Sequence, residues 1–289
     1  MEHSRYEPAL RRILKTLGPY LDDVVVIGGW VPYLYGRYGG FTTWSANTSL
    51  TAEVDVLVGR PLLSGERPSI PELLRRANFT PSAEVGGLAV WEGDVRAGEK
   101  IEFLVPHLGT SRQMGTVVPV PDQAGMSAIA LAGLELMRQF KQRLAVPVAT
   151  DRDGRVLEPW VPTLGAYTVN KASTFLARRD DPGGGNPKRA KDLLYLRDLM
   201  AAGPEVVTRI QSDLTDMVRD RGTPRRVKDG VEYARNTLKL ALTDDTGRIL
   251  HEVAGMLVER EPGLRREAAL ADVRGHLADL VEVLGEYAE

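Results

Sequence analysis

Residues 24–27, a run of Val-Val-Val-Ile, constrain the fold of this chain more than any other stretch, because two glycines follow them directly. Four β-branched residues in succession are typical of a strand inside a sheet with both faces covered. Gly28 and Gly29 permit a sharp turn, since glycine adopts positive φ angles without steric cost. Residues 30–35 are then expected to form a short helix. This order of strand, turn and helix predicts the centre of an α/β unit.

The Gly28–Gly29 turn has two interpretations. Backbone N–H groups at the start of the following helix could hold a phosphate. The alternative is a plain turn between a strand and a helix that needs a positive φ angle. No Gly-Lys-Ser/Thr follows, so the turn is not a Walker A loop, and it lacks the dinucleotide fingerprint.

A second strand is predicted at residues 53–58, Glu-Val-Asp-Val-Leu-Val. Side chains alternate along a strand, so Glu53 and Asp55 share a face and lie roughly 6–7 Å apart. Two carboxylates at this spacing can bind Mg²⁺ or Mn²⁺ ions that bridge triphosphate oxygens. The alternative is an edge strand with a solvated acidic face.

Residues 100–105 repeat this alternation and place Glu102 on one face. If this strand lies beside the strand of Glu53, three carboxylates converge. They then repel one another unless a cation neutralises them. Glu53, Asp55 and Glu102 are therefore the candidate metal ligands, with solvation at the surface as the alternative for Glu102.

The rest of the chain divides into two parts, which predicts an α+β fold. A mixed lobe spans residues 1–165, and an all-α lobe spans residues 166–289 and contributes to the active-site cleft. In the first lobe we expect helices at 7–18, 70–78 and 126–144, strands at 88–91 and 117–120, and a hairpin of 145–150 with 155–161. In the second lobe we expect helices at 166–179, 188–202, 204–221, 228–242, 246–260 and 264–287, the second capped by Asn186.

Composition excludes several classes of protein. The chain has no cysteine, which rules out disulfides and thiolate metal sites. A net charge of −2 gives no global attraction to nucleic acid. No apolar run approaches the ~20 residues that span a bilayer, and the N-terminus shows no signal peptide. We therefore expect a cytoplasmic protein without a membrane partner. A basic cluster (Arg219, Arg221, Arg225, Arg226 and Lys228) indicates either a solvated surface or an RNA contact.

These motifs, taken in order, resemble the nucleotidyltransferase superfamily, in which Gly-Gly and one further residue precede an acid-x-Asp strand. Lys171 on one helix, then Lys188-Arg189-Ala190-Lys191-Asp192 opening the next, is similar to the AbiEii/MenT-type toxin nucleotidyltransferases. The resemblance implies a mixed nucleotidyltransferase-like sheet and metal-dependent transfer of NMP from an NTP to an acceptor hydroxyl. It also implies tRNA as the acceptor and a toxin that a separate antitoxin restrains.

The resemblance also assigns roles to residues. Asp55, Lys171 and Asp192 become catalytic, and Lys171 additionally holds the triphosphate. The remaining nucleotide-binding candidates are Gly28, Gly29, Trp30, Lys188 and Arg189. Without the resemblance, Lys171 is expected to be solvated, and Asp192 is expected either to line a cleft or to form a salt bridge to Lys188 or Lys171.

Two departures and two rival functions stand beside this prediction. Trp30 occupies the position after Gly-Gly where many members have serine, and Glu53 replaces the commoner aspartate. The first rival is transfer to a small molecule, as in aminoglycoside nucleotidyltransferases. The second is a catalytically silent module that binds nucleotides.

Overall fold

The computed structural model describes residues 6–44, 53–82, 87–97, 99–107, 115–177, 187–222, 224–243 and 248–288. Contacts divide the chain into two compact units. The N-terminal unit comprises Met1–Gly40 and Leu50–Pro162, and the helical unit comprises Phe41–Ser49 and Thr163–Glu289. The mixed α+β class expected from the sequence is confirmed. The domain boundary expected near residue 165 stays a prediction.

The described part of the N-terminal unit contains eleven strands and four α-helices. The strands are β1 (Val25–Ile27), β2 (Glu53–Leu57), β3 (Thr80–Pro81), β4 (Val90–Glu92), β5 (Lys100–Pro106), β6 (Val117–Pro119), β7 (Ser127–Leu131), β8 (Lys141–Arg143), β9 (Val146–Thr150), β10 (Val156–Leu157) and β11 (Trp160–Pro162). The helices are α1 (Glu7–Thr16), α2 (Trp30–Tyr38), α3 (Ile70–Arg76) and α4 (Leu134–Gln139).

Nine of these strands form one mixed sheet, whose main path runs β3-β4-β5-β2-β1-β11-β8. Strand β7 pairs with β5 and with β6. Within the path, β1 is antiparallel to β2 and parallel to β11, and its three residues are buried. This confirms the interior strand predicted from the β-branched run. The pairing also places the end of β1, and the glycine turn after it, beside the carboxylates of β2.

Helix α1 covers one side of this unit because its apolar residues recur at helical spacing. Ala9, Leu10, Ile13 and Leu14 are buried, while its polar residues form the opposite face. Pro8 suits the first turn, where a backbone N–H is not needed. A short 3₁₀ turn at Gly18–Tyr20 follows the helix. The helix predicted over 7–18 is confirmed, with an earlier end.

The helix predicted over 126–144 is wrong. Strand β7, the short helix α4 and strand β8 occupy most of this segment. The stretch 127–131 alternates, with Ala128 and Ala130 buried, and it pairs with β5 and β6 on its two sides. Gly133 has a φ of 77°, a left-handed conformation that prevents a continuous helix into α4. Sheet pairing therefore outweighed the helical spacing of Ile129, Leu134 and Met137.

The hairpin predicted around residues 151–154 is confirmed for β9 and β10, which pair antiparallel in a small sheet of their own. The Oδ1 atom of Asp151 accepts hydrogen bonds from the backbone N–H groups of Asp153 at 2.9 Å and Arg155 at 2.8 Å. These bonds stabilise the turn. The second predicted strand, 155–161, divides in two, and its second half, β11, joins the main sheet.

The helical unit contains α5 (Leu164–Ala177), α6 (Pro187–Ala201), α7 (Pro204–Arg219), α8 (Pro224–Thr243), α9 (Arg248–Arg260) and α10 (Arg266–Ala288). All six predicted helices are present, although the Asn186 cap and residues 178–179 lie outside the described residues. The buried carboxylate of Asp198 on α6 accepts hydrogen bonds from both terminal nitrogens of Arg260 on α9, at 2.5 and 2.7 Å. Among the described helices, none is both long and apolar enough to cross a membrane.

Candidate active site

Three carboxylates converge on one face of the N-terminal sheet. Strands β2 and β5 are parallel, and their register places Asp55 opposite Glu102. Glu53, Asp55 and Glu102 each offer an oxygen, and these oxygens all lie within 4.8 Å of one another. The convergence expected from the two alternating sequences is therefore confirmed.

Burial explains why this acidic face is held in place. On the opposite face, Val54, Val56, Ile101 and Phe103 are fully buried, so neither strand can rotate to bring its acids into open solvent. The three acids themselves are half-buried. Farther along the face that bears the acids, Leu57 and Leu104 are 1% and 5% exposed. The carboxylates thus lie at the margin of a packed core rather than on a freely solvated strand.

Lys100 accompanies the acids, and sequence analysis missed it. The register pairs Lys100 with Glu53, and its Nζ atom lies 3.5 Å from Glu53 Oε2. One ammonium offsets part of the repulsion among three carboxylates. The side chain of Lys100 is 40% exposed, so water screens this attraction. Alternation alone places Lys100 on the same face as Glu102, but its contact with Glu53 depends on the parallel register.

The Gly28–Gly29 turn packs directly against Asp55. Gly28 has a φ of 73°, and a Cβ atom built there would overlap Asp55 Oδ2 and lie 2.7 Å from Asp55 Cγ. Glycine is therefore required at this position both by backbone conformation and by space. Gly29, with a φ of −68°, is the residue before α2, and no side chain caps that helix. Strand β1, the turn and the acid are thus one packed unit.

The side chain of Trp30 belongs to the core. It is fully buried, its Nε1 atom donates to the backbone carbonyl of Glu53 at 3.1 Å, and its ring meets Tyr33 edge-on at 5.4 Å. This bond fixes the start of α2 to the first residue of β2. A nucleotide could therefore contact the backbone N–H of Trp30 but not its indole.

In the helical unit, Lys171 on α5 and Asp192 on α6 form a buried ion pair. The Nζ atom of Lys171 lies 2.7 Å from Asp192 Oδ1, and the residues are 7% and 2% exposed. The salt bridge to Lys171 that the sequence suggests is confirmed. Two buried charges lose hydration, so such a pair contributes less to stability than its short distance suggests.

Further groups surround this pair, and sequence analysis did not identify them. Thr174 Oγ1 lies 3.4 Å from Asp192 Oδ2. The Lys171 ammonium lies 5.7 Å from the ring centre of Tyr167 and 5.4 Å from that of Tyr195, within range of cation–π attraction. Tyr167 precedes Lys171 by four residues, and Tyr195 follows Asp192 by three. This helical spacing was a usable signal.

Lys188 and Arg189 lie in the first turn of α6. Lys188 is exposed. Arg189 donates from Nε to the carbonyl of Phe175 at 3.2 Å, and its guanidinium lies 4.9 Å from the Phe175 ring centre. Arg189 therefore ties the start of α6 to the end of α5.

The carboxylate cluster fits a divalent cation. Its donors are all oxygens, which Mg²⁺ and Mn²⁺ prefer over nitrogen or sulfur. Mg²⁺ usually takes one or two protein carboxylates and completes its shell with water and substrate phosphates. Half-buried acids leave room for such ligands. Glu53, Asp55 and Glu102 could therefore hold this ion.

Comparison with known proteins gives one match. A family model described as "Nucleotidyltransferase" matches residues 8–221, which include every catalytic, nucleotide-binding and metal-ligand candidate named above. Neither the curated proteins nor the solved structures contain a significant match. The match covers well over half of the chain and includes both the carboxylate cluster and the Lys171–Asp192 pair. This chain therefore belongs to the nucleotidyltransferase family, and its general activity is the transfer of a nucleotidyl group.

Proposed function

We propose that this protein transfers an NMP from an NTP to a hydroxyl group of tRNA and acts as the toxin of a toxin–antitoxin pair. The observation that carries the proposed transfer of NMP is the convergence of Glu53, Asp55 and Glu102 against the Gly28 turn. In the transfer, a bond forms between the acceptor oxygen and the α-phosphorus. The bond from that phosphorus to pyrophosphate breaks, and the hydroxyl proton leaves.

The three carboxylates are proposed to hold Mg²⁺ or Mn²⁺. Such an ion, when bound, neutralises charge on the phosphates and lowers the pKa of a bound hydroxyl. The protein supplies the geometry. Register places Asp55 opposite Glu102, and Trp30 fixes the backbone of Glu53. Backbone N–H groups in the first turn of α2 favour an anion, since no side chain caps them.

Lys171 and Asp192 are proposed to take part in the same reaction. The family resemblance assigns Lys171 to the triphosphate and Asp192 to the acceptor hydroxyl. Their burial supports a role beyond stability, because a buried ion pair is often no more stabilising than an apolar pair of the same volume. Lys188, which is exposed, and Arg189 are proposed to contact phosphate. The resemblance alone supports tRNA as the acceptor and an antitoxin as a partner.

The test compares the wild type with Asp55→Asn. Each protein is incubated with each labelled NTP and total tRNA, and label on RNA is measured together with released pyrophosphate. We expect labelling by the wild type and a loss of at least about 100-fold in Asp55→Asn, because the variant lacks a charged metal ligand. Glu66→Gln, which changes an exposed acid of the same unit, should label RNA like the wild type.

Three results would contradict the proposal. Equal labelling by Asp55→Asn would remove the carboxylate cluster from the reaction. Label on a small hydroxyl compound but never on RNA would establish the aminoglycoside-type alternative. NTP binding in calorimetry without transfer to any acceptor would indicate a silent nucleotide-binding module.

A further inference from the structure

A basic groove lies in the N-terminal unit between α1, α3 and the β9–β10 hairpin. Its volume is about 1090 Å³, slightly above the range of roughly 300–1,000 Å³ for small-molecule sites. Five cationic side chains line it, together with two acids, and none of the three clustered carboxylates does. Its cations are Arg11, Arg12, Lys15, Arg76 and Arg152. The groove is therefore distinct from the carboxylate cluster.

Helix α1 supplies the longest wall of this groove. Pro8, Arg11, Arg12 and Lys15 recur at intervals of three and four residues, so they share one face of the helix. The opposite face packs into the core through residues such as Leu10. The fold thus orients the basic face of α1 into the groove.

Among the described residues, intramolecular ion pairs account for two of the five cations. Arg12 bonds Glu99 and the carbonyl of Ala77, and Arg76 pairs with Glu72 in the helix α3. Within the described part of the chain, Arg11, Lys15 and Arg152 form no ion pair. The Nε atom of Arg11 is buried and has no hydrogen-bond partner among those residues.

The two acids of the groove, Asp151 and Asp153, offset only part of its charge, because five cations line it beside these two acids. Asp151 directs one carboxylate oxygen to the backbone N–H groups of its own turn. Arg11 and Lys15 lie four residues apart, and like charges at this spacing repel one another along a helix. Lys15 lies in the last turn of α1, where the helix dipole favours a cation. This explains Lys15 but not Arg11 or Arg152. The fold alone therefore does not account for the positive charge of the groove.

We propose that this groove binds the phosphate backbone of the RNA acceptor, an inference that rests on the proposed function. Four of its five cations are arginines, whose planar guanidinium groups bind phosphate oxygens in pairs. No aromatic residue is among the described residues that line it, so bases do not stack on aromatic rings there. Binding in this groove thus depends on charge and salt rather than on base sequence.

The test measures binding of fluorescently labelled total tRNA by anisotropy over a series of salt concentrations. The groove variant carries Arg11→Gln, Lys15→Gln and Arg152→Gln. The control carries Lys239→Gln, Arg248→Gln and Arg274→Gln, three exposed positions of the helical unit, and removes the same net charge. We expect at least a tenfold rise in Kd for the groove variant and less than twofold for the control. The slope of the logarithm of the association constant against the logarithm of salt concentration should become less negative by about 2 to 3 in the groove variant.

A second variant tests the same proposal if the first variant does not fold. Lys15→Glu with Arg152→Glu changes two exposed side chains and should weaken RNA binding in the same way. Equal Kd values for the groove variants and the control would overturn the proposal. So would a wild type that binds labelled polyglutamate through the groove but no RNA, since an acidic protein would then be the partner.

The two proposals fail in distinguishable ways. Asp55→Asn should bind RNA like the wild type and not label it. Loss of RNA binding in the groove variants, in a protein that labels no RNA, would uphold the groove and overturn the proposed reaction. Groove variants that bind and label RNA normally would uphold the proposed reaction and overturn the role of the groove.

Discussion

The carboxylate of Asp55 fills the space in which any residue other than glycine at position 28 would carry its side chain. A Cβ atom at Gly28 would overlap Asp55 Oδ2, and it would lie 3.0 Å from Asp55 Cβ. The glycine turn and the central metal-ligand candidate therefore constrain each other. A change at Gly28 must displace Asp55 even though no atom of the carboxylate cluster is replaced.

Gly28→Ala is predicted to lower both stability and activity. The positive φ angle costs about 1–2 kcal/mol for alanine, and displacement of Asp55 adds about 1–3 kcal/mol. Urea unfolding measures the loss of stability, and transfer of label from an NTP measures the loss of activity. Gly65→Ala is the matched control, because Gly65 has a φ of 58° but nothing within 4 Å of its Cβ position. Equal losses of stability in the two variants would show that Asp55 does not constrain residue 28.

The sequence predicted the carboxylate cluster because strand alternation is a local property. Glu53, Asp55 and Glu102 each follow from a period of two, and burial of Val54 and Phe103 fixes which face carries them. The pairing of β2 with β5 had to be assumed, and Lys100 was missed for that reason. A register is a contact between distant segments, so a single sequence contains it only indirectly.

The segment 126–144 shows where such reasoning fails. Its apolar residues fit a helical period, yet β7 pairs with two other strands and Gly133 interrupts the chain. The groove of Arg11 and Arg152 was not predicted either, because its walls come from three separated segments. The Lys171–Asp192 pair is one of the two salt bridges predicted for Asp192. The sequence places both side chains on helices, but it does not show that these helices pack against each other.

Divalent cations are predicted to raise the melting temperature of the wild type. Mg²⁺ that binds only the folded chain stabilises it by mass action, and it also relieves repulsion among Glu53, Asp55 and Glu102. Glu102→Gln should reduce the increase at a given Mg²⁺ concentration by at least half. Differential scanning fluorimetry with a Mg²⁺ titration measures this without any enzymatic step. Glu158→Gln, an exposed acid of the same unit, should respond like the wild type, and an unchanged increase in Glu102→Gln would exclude Glu102 as a ligand.

Asp213 is predicted to make folding depend on pH. Burial raises the pKa of its carboxyl, although Arg209 at 2.8 Å and the N–H of Gly165 at 3.1 Å act in the opposite direction. An acid with a higher pKa in the folded state holds its proton more tightly there. Its contribution to stability is therefore present at low pH and is lost as pH rises through the folded pKa.

Urea unfolding of the wild type and Asp213→Asn between pH 3 and 7 measures this contribution. The free energy of unfolding of the wild type, relative to the variant, should fall as pH rises. Asp216→Asn on the same helix is exposed and should show no such trend. A relative stability that rises with pH would mean that Arg209 outweighs burial.

The Lys171–Asp192 pair allows stability to be separated from catalysis. Lys171→Met or Asp192→Asn alone removes one charge of this buried ion pair, which is expected to cost about 3–5 kcal/mol. The double variant buries neither charge, so its free energy of unfolding should lie closer to that of the wild type than either single variant does. If Lys171 holds the triphosphate, the double variant folds but still transfers no nucleotide. Recovery of both stability and activity in the double variant would assign the pair a structural role only.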